Sequence, residues 1–106
     1  MPHIHDEKVK FLEEKANQIR QSLIEELVAA GSGHTAGPLG MADVFTALYF
    51  HILKHDPKNP EWPERDRLVL SNGHICPIQY ATMAHAGYFP IDELKTLRKF
   101  GTRLQG

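Results

Sequence analysis

Two histidines that each follow a glycine are the residues of this chain best placed to do chemistry. His34 lies in the glycine-rich segment 31–40, and His74 comes directly after Gly73 at the end of an apolar run. Glycine lets the backbone turn sharply and approach a ligand, because it has no Cβ to clash. An imidazole donates, accepts or carries a proton near neutral pH. The sequence therefore predicts a pocket lined by His34 and His74.

Each histidine also has a plainer interpretation. The segment around His34 is typical of a turn between two helices, in which the ring is incidental. The functional alternative is a proton carrier or a group that binds a hydroxyl. Around His74, an apolar strand, a glycine turn and a helix start would place backbone N–H groups where they favour an anion such as phosphate. A simple strand-to-helix turn is the alternative there.

Three other residue groups give weaker signals. His51 and His55 are four residues apart and could bind a metal from one helix face. The helix ends almost at His55 and no third ligand is evident, so we expect no metal site. Cys76 lacks a partner at CxxC spacing and is predicted to be a small packed residue rather than a nucleophile. Trp62, which lies among prolines, is predicted to anchor its connecting segment to the domain.

The bulk composition narrows the class of protein. The chain has 106 residues, 42% hydrophobic and 24% charged, with a net charge of −1, which predicts one small globular domain. A charge near zero gives no electrostatic reason to expect nucleic acid or an anionic membrane as a partner. The start lacks a signal-peptide core, and no apolar run approaches the roughly 20 residues that span a bilayer. A single cysteine excludes an internal disulfide, so we expect a cytoplasmic protein.

The spacing of apolar residues predicts helices in the first half of the chain. A stripe at three- and four-residue steps predicts a helix over Asp6–Ala30, with Asp6 as its cap and Gly31 as its end. Four glycines and a proline predict a structured loop over 31–40. Residues 41–53 are apolar nearly all the way round, which predicts a buried helix.

The second half is predicted to hold one short strand and two short helices. Prolines predict an extended polar connection over 55–63, and the apolar run near 68–71 suits a short buried strand. Helices are predicted over 77–86, ended by Gly87, and over 91–99, where early acids and late bases complement the helix dipole. A lone strand leaves backbone groups unpaired. The chain is therefore either all-helical or part of a larger sheet protein.

Several segments, in chain order and at matching spacing, carry a family resemblance. They are residues 31–43, 56–62, 65–74 and 87–94, together with Tyr80. These segments closely resemble the N-terminal region of transketolase, and the similarity covers about residues 16–106. Residues 102–106 resemble the segment that ends in Gly-His-Pro in that family. The form especially resembles the separate N-terminal subunit of split transketolases.

The resemblance implies an α/β thiamine diphosphate-binding fold, of which residues 1–106 are a single partial domain, mostly helical. It implies transfer of a two-carbon ketol unit between sugar phosphates, using thiamine diphosphate and Mg²⁺ or Ca²⁺ between two polypeptides of a dimer. His34 is then expected to contact the donor sugar and help move protons. His74 is expected to contact the cofactor near its diphosphate and to border the substrate. The cofactor performs the carbanion chemistry while the protein orients and polarises it.

Parts of the family pattern are missing from the sequence. The Gly-Asp-Gly motif and later Asn that hold the metal and diphosphate do not occur, nor does the glutamate that activates the cofactor. The chain also stops before the histidine expected after Gly106. We therefore expect it to lack the metal ligands, to be inactive alone, and to need the remainder of a transketolase or a separate C-terminal subunit.

Two alternatives remain at this point. One is a non-catalytic helical module that binds a partner. The other is a fragment of an enzyme like 1-deoxyxylulose-5-phosphate synthase, whose N-terminal region also has a Gly-His loop. Residues 38–43 and 65–71 fit transketolase better than that enzyme.

Overall fold

One long helix organises this fold, and the shorter helices pack along it. The structure, a computed structural model, describes residues 5–105. The α-helices are α1 (Asp6–Ala30), α2 (Ala36–Gly40), α3 (Ala42–Ala47) and α4 (Cys76–Ala86). A π-helical turn, Leu48–Ile52, extends α3, and two 3₁₀ segments, Gly73–Ile75 and Ile91–Thr96, flank α4. Within residues 5–105, no helix is long and apolar enough to cross a membrane.

The predicted bounds of α1 are confirmed, but its predicted cap is wrong. Gly31 ends the helix at φ 71°, in the left-handed region where a residue without a Cβ has little steric cost. His5 takes the cap position, and no side chain caps the helix there. Asp6 is instead the first helical residue, where its negative carboxylate interacts favourably with the positive end of the helix dipole.

The core lies where α1, α3, α4 and the Ile91–Thr96 segment meet. Its largest fully buried apolar side chains include Ile19, Leu23, Ile78 and Leu97. Each such side chain contributes about 1.5–3 kcal/mol by leaving water. On the exposed side, Arg20 of α1 pairs with Asp43 of α3 at 2.6 Å, which fixes the relative position of the two helices more than it stabilises them.

The glycine-rich segment 31–40 contains a short helix, α2, where a loop was predicted. Pro38 is tolerated because the N–H groups of a first helical turn have no partner within the helix. Gly37 lets α2 approach the 3₁₀ segment Gly73–Ile75: a Cβ built on Gly37 would lie 3.0 Å from Cγ2 of Ile75. This close approach packs the segment that follows His34 against the segment that carries His74.

The predicted helix 41–53 is present but is not regular. Its last turn is π-helical, since the Leu53 N–H donates to the Leu48 carbonyl at 2.8 Å. Lys8 Nζ donates to the Phe50 carbonyl at 2.9 Å, which satisfies a group that the helix end leaves free. Within the described residues the helix is buried on one side: Phe45 and Tyr49 lie in the core, whereas Val44 and Ile52 are 47% and 54% exposed.

The predicted strand near 68–71 is not confirmed. Residues 5–105 contain no strand, and Val69 is 87% exposed while Leu68 and Leu70 are half-buried. This alternation of half-buried and exposed side chains is typical of a strand that buries one of its two faces. A strand also needs ladder hydrogen bonds to a neighbour, and the helices of the described chain offer none.

The predicted connection 55–63 is a closed series of turns rather than an extended segment. Lys54 and Asp66 bring its ends together through two hydrogen bonds of 2.7 Å, one of them from the Lys54 N–H to the Asp66 carboxylate. Trp62 is half-buried, and its carbonyl accepts from the Arg65 guanidinium at 2.9 Å. Farther along, the predicted helix 91–99 is the 3₁₀ helix Ile91–Thr96, which ends three residues earlier.

Candidate active site

Gly33 holds the turn that carries His34 against α1. Its φ of 133° lies in the region that residues with a Cβ rarely adopt. A Cβ built there would lie 2.5 Å from Cδ2 of Leu27, which is buried. The backbone angle therefore favours glycine strongly at this position, and a Cβ there would also force the end of the Leu27 side chain to shift.

Replacing Gly33 by alanine should lower the free energy of unfolding by about 2–4 kcal/mol, through backbone strain and overpacking against Leu27. Gly40→Ala is the matched control, because nothing lies within 4 Å of a Cβ at Gly40 and alanine favours helix. Urea unfolding followed by circular dichroism measures both variants. Equal stabilities for the two variants would contradict the assignment.

Asn72 fixes the turn and the ring of His74. Its side-chain oxygen accepts from the His74 backbone N–H at 3.1 Å and lies 3.2 Å from Nδ1 of the same residue. A bond between Nδ1 and an amide oxygen requires the proton on Nδ1. This leaves Nε2 of His74 as the ring atom available to a ligand.

The structure brings the two predicted histidines together. The ring centroids of His34 and His74 are 4.7 Å apart, at an interplanar angle of 72°. Both rings are exposed on an open cavity of about 480 Å³. The lining residues are His34, Gly73, His74, Cys76, Arg98 and Gln105. Among residues 5–105, no side-chain carboxylate lines this cavity while the Arg98 guanidinium does, so the charge at the cavity favours an anionic ligand.

Arg98 and Gln105 are site residues that the sequence interpretation missed. The predicted helix 91–99 placed Arg98 in a last helical turn, where its charge complements the dipole. The structure instead places it beyond the helix, with its guanidinium Nη1 donating to Ser32 Oγ at 3.0 Å. The contact joins positions 66 residues apart, and no local pattern predicts it.

Cys76 packs against the end of the described chain. Its thiol donates to the Gln105 carbonyl at 3.6 Å, and the Tyr80 hydroxyl donates to the same oxygen. Burial raises the pKa of the Cys76 thiol, which keeps it protonated and weakly nucleophilic at neutral pH. The structure thus shows a half-buried, hydrogen-bonded thiol that holds Gln105 at the cavity.

His51 and His55 do not come together as metal ligands. His51 is exposed, whereas both ring nitrogens of His55 are engaged at 2.5 Å, Nδ1 with the Tyr88 hydroxyl and Nε2 with the Tyr49 carbonyl. Because a carbonyl only accepts, Nε2 carries the proton and Nδ1 accepts from Tyr88. Residues 5–105 contain no group of three or more His, Cys, Asp or Glu that could hold a metal ion.

One buried acid was also missed. Glu26 is fully buried in α1, and neither carboxylate oxygen has a hydrogen-bond partner among the described residues. Burial raises its pKa from 4.5 to about 8, so the group is mainly protonated at neutral pH. A signal existed in the sequence, because Glu26 lies three residues after Leu23 and seven after Ile19 on the apolar stripe.

The fold and this paired-histidine cavity agree with a family match. Residues 12–106 match the family described as transketolase, thiamine diphosphate binding domain. The chain therefore belongs to the transketolase thiamine diphosphate binding domain family.

Individual relatives carry the same name. The chain is 53% identical over 93 residues to the 6-deoxy-6-sulfo-D-fructose transketolase subunit SqwG of Clostridium sp. (strain MSTE9), covering 88% of this chain and 34% of that protein. It is 40% identical over 100 residues to human transketolase, covering 94% of this chain and 16% of that protein. Transketolase from Leishmania mexicana superposes with a TM-score of 0.84 at 36% identity, covering 97% of this chain and 15% of that one.

The chain thus spans about a third or less of the length of each relative. All three relatives are named as transketolases, which does not favour a non-catalytic module or a deoxyxylulose-phosphate synthase.

Proposed function

We propose that this chain supplies the two-histidine part of a transketolase active site. The complete enzyme would transfer a two-carbon ketol unit between sugar phosphates with thiamine diphosphate. The observation that carries the proposal is the contact of the His34 and His74 rings, 4.7 Å apart at one cavity, from two turns distant in sequence. Residues 1–106 then act as a single partial domain that another polypeptide completes.

The residues at the cavity fit the anionic side of this cofactor. The Arg98 guanidinium and the His74 ring line it, and a cation beside an oriented imidazole suits an anionic diphosphate. The described chain lacks a cluster of metal ligands. We therefore propose that the ligands of Mg²⁺ or Ca²⁺ come from the completing polypeptide, because such ions need several oxygen ligands.

Each histidine has a proposed task that follows from its surroundings. His34 is exposed and makes no hydrogen bond within the described residues, so its ring is free to take a proton from a sugar hydroxyl and return it. His74 has Nδ1 held by Asn72, which leaves Nε2 for the ligand: Nε2 would accept from a substrate hydroxyl, and to donate to the cofactor diphosphate it must itself carry a proton, so the ring would bind there as an imidazolium. When bound, thiamine diphosphate supplies the carbanion chemistry.

The proposal also covers the partner chain, the assembly, the cellular compartment and the substrates. The 53% identical relative is named as a subunit, which supports a separate partner chain that completes the enzyme, and we propose a dimer of the completed unit in the cytoplasm. We propose sugar phosphates as substrates. Because that relative is named for 6-deoxy-6-sulfo-D-fructose, this sulfonated sugar is a second ketol donor to test beside the sugar phosphates.

A chimera tests the proposed function. Residues 12–106 replace the matched segment of the Clostridium subunit, which is then combined with the chain that completes it. The chimera should transfer a ketol unit from a ketose phosphate or from 6-deoxy-6-sulfo-D-fructose, measured by coupled assay. A stable assembly that binds its partner and transfers nothing from either donor would instead identify a non-catalytic module.

A further inference from the structure

Arg98 adopts an unusual backbone conformation at the edge of the His34–His74 cavity. Its φ is 62°, and within residues 5–105 it is the one residue other than glycine with a positive φ. A side chain with a Cβ resists this conformation, so the surrounding structure must hold it. An observed outlier of this kind is a reason to ask what the side chain does.

The neighbours of Arg98 hold it in place. Leu97 is fully buried and Leu104 is 3% exposed, which anchors the backbone on both sides. The Arg98 N–H donates to the Leu104 carbonyl at 2.9 Å. Arg103 forms a two-point ion pair with Glu93, at 2.5 and 2.9 Å, which ties the segment to the 3₁₀ helix. The loop over 97–105 is therefore built around a left-handed Arg98.

The side chain of Arg98 reaches the turn that carries His34. Its Nη1 donates to Ser32 Oγ at 3.0 Å. Within residues 5–105 this is the one hydrogen bond that joins residues 32–34 to another segment. Ser32 lies between two glycines, each at positive φ, so this turn has little stiffness of its own.

We propose that Arg98 is a positioning residue for His34. Its bond to Ser32 restrains the flexible turn, and the restrained turn places the His34 ring against His74. Only the expected effect of Arg98 on catalysis rests on the proposed function. The restraint itself is a property of the chain alone.

Nuclear magnetic resonance of the full chain tests the restraint. The nuclear Overhauser effect between the His34 and His74 ring protons reports their contact. Ser32→Ala removes the acceptor, and Arg98→Gly removes the guanidinium while suiting the left-handed backbone. Each variant should lose at least about half of the effect, and the double variant should lose no more than either single one, because both remove the same interaction.

Two controls separate positioning from general destabilisation. Arg98→Gly should unfold at the same or a higher urea concentration than the native chain, and Lys99→Ala, a neighbouring exposed cation, should keep the ring contact. Arg98→Lys, which keeps one charged donor, should restore part of it. An unchanged ring contact in both Ser32→Ala and Arg98→Gly overturns the proposal, as does the absence of the contact in the native chain.

Failure of this proposal is distinguishable from failure of the proposed function. In the chimera saturated with thiamine diphosphate, Arg98→Gly should lower kcat about tenfold with little change in KM for the sugar, because a small misplacement of a reacting group slows the chemical step. If the chimera transfers no ketol unit but the ring contact depends on Arg98, the proposed function is wrong and the positioning role stands. If the chimera is active but its ring contact and kcat do not depend on Arg98, the positioning role is wrong and the proposed function stands.

Discussion

Replacing His34 by alanine should lower kcat of the chimeric transketolase by about 100- to 10,000-fold, the usual contribution of a positioned proton carrier. The affinity for thiamine diphosphate should change little. The reason is that the ring of His34 is free to act on the sugar, while the bond between His74 and Asn72 does not depend on it. Steady-state kinetics and calorimetry with the cofactor measure the two effects.

His74→Ala should behave differently, because its oriented Nε2 is assigned to the cofactor. We expect a loss of about tenfold or more in cofactor affinity, since a hydrogen bond to a charged group contributes about 1.5–3 kcal/mol, together with slower turnover. His51→Ala is the matched control, since His51 is exposed and does not line this cavity. Equal losses of cofactor affinity in His34→Ala and His74→Ala would contradict the division of roles.

The buried Glu26 should make the stability of the chain depend strongly on pH. In the unfolded chain its carboxyl ionises near pH 4.5, but in the folded chain burial raises the pKa to about 8. The unfolded state therefore releases this proton first, and the free energy of unfolding falls as the pH rises from about 4.5 to about 8. The total fall from this one group is about 5 kcal/mol, a large share of the 5–15 kcal/mol typical of a domain.

Glu26→Gln isolates this effect from a second group that opposes it. Burial lowers the pKa of His85, whose Nε2 lies 2.7 Å from Ser22 Oγ, with the charge of Lys15 adding to the shift. That group costs stability as the pH falls below its ordinary pKa of 6.5. The difference between the native chain and Glu26→Gln cancels the contribution of His85 and leaves that of Glu26.

Urea unfolding at pH 5 to 9 measures the difference. Glu26→Gln should become more stable relative to the native chain as the pH rises, whereas Glu25→Gln, the exposed neighbour on the same helix, should follow the native curve. Parallel curves for the native chain and Glu26→Gln would show that Glu26 is not buried without a partner.

The helix ends were largely predictable because their causes are local. Gly31 and Gly87 both end helices in the left-handed region, as glycine does for reasons of its own backbone. The bounds of α1 follow from an apolar stripe that needs one covered face. The strand predicted near 68–71 is absent from residues 5–105, because a strand exists only beside a neighbour that pairs with it, and a local apolar run does not supply that neighbour.

The candidate site shows the same division. Two glycine-presented histidines were recognisable from residue type and spacing, and the link from Asn72 to His74 spans two residues. Arg98 was not recognisable, because its partner Ser32 lies 66 positions away. The position of Glu26 on the apolar stripe was visible in the sequence, but its burial without a hydrogen-bond partner among the described residues depends on how the other helices pack.

The amino-acid sequence by itself determined the family, through motifs that match in order and spacing. It also determined the long helix and the two turns that carry the histidines, since these depend on interactions between close neighbours in the chain. Only the tertiary structure decided that the two rings touch, that Arg98 reaches Ser32 and that Glu26 is buried without a partner. Those outcomes depend on distances between residues far apart in sequence, which packing of the whole core sets.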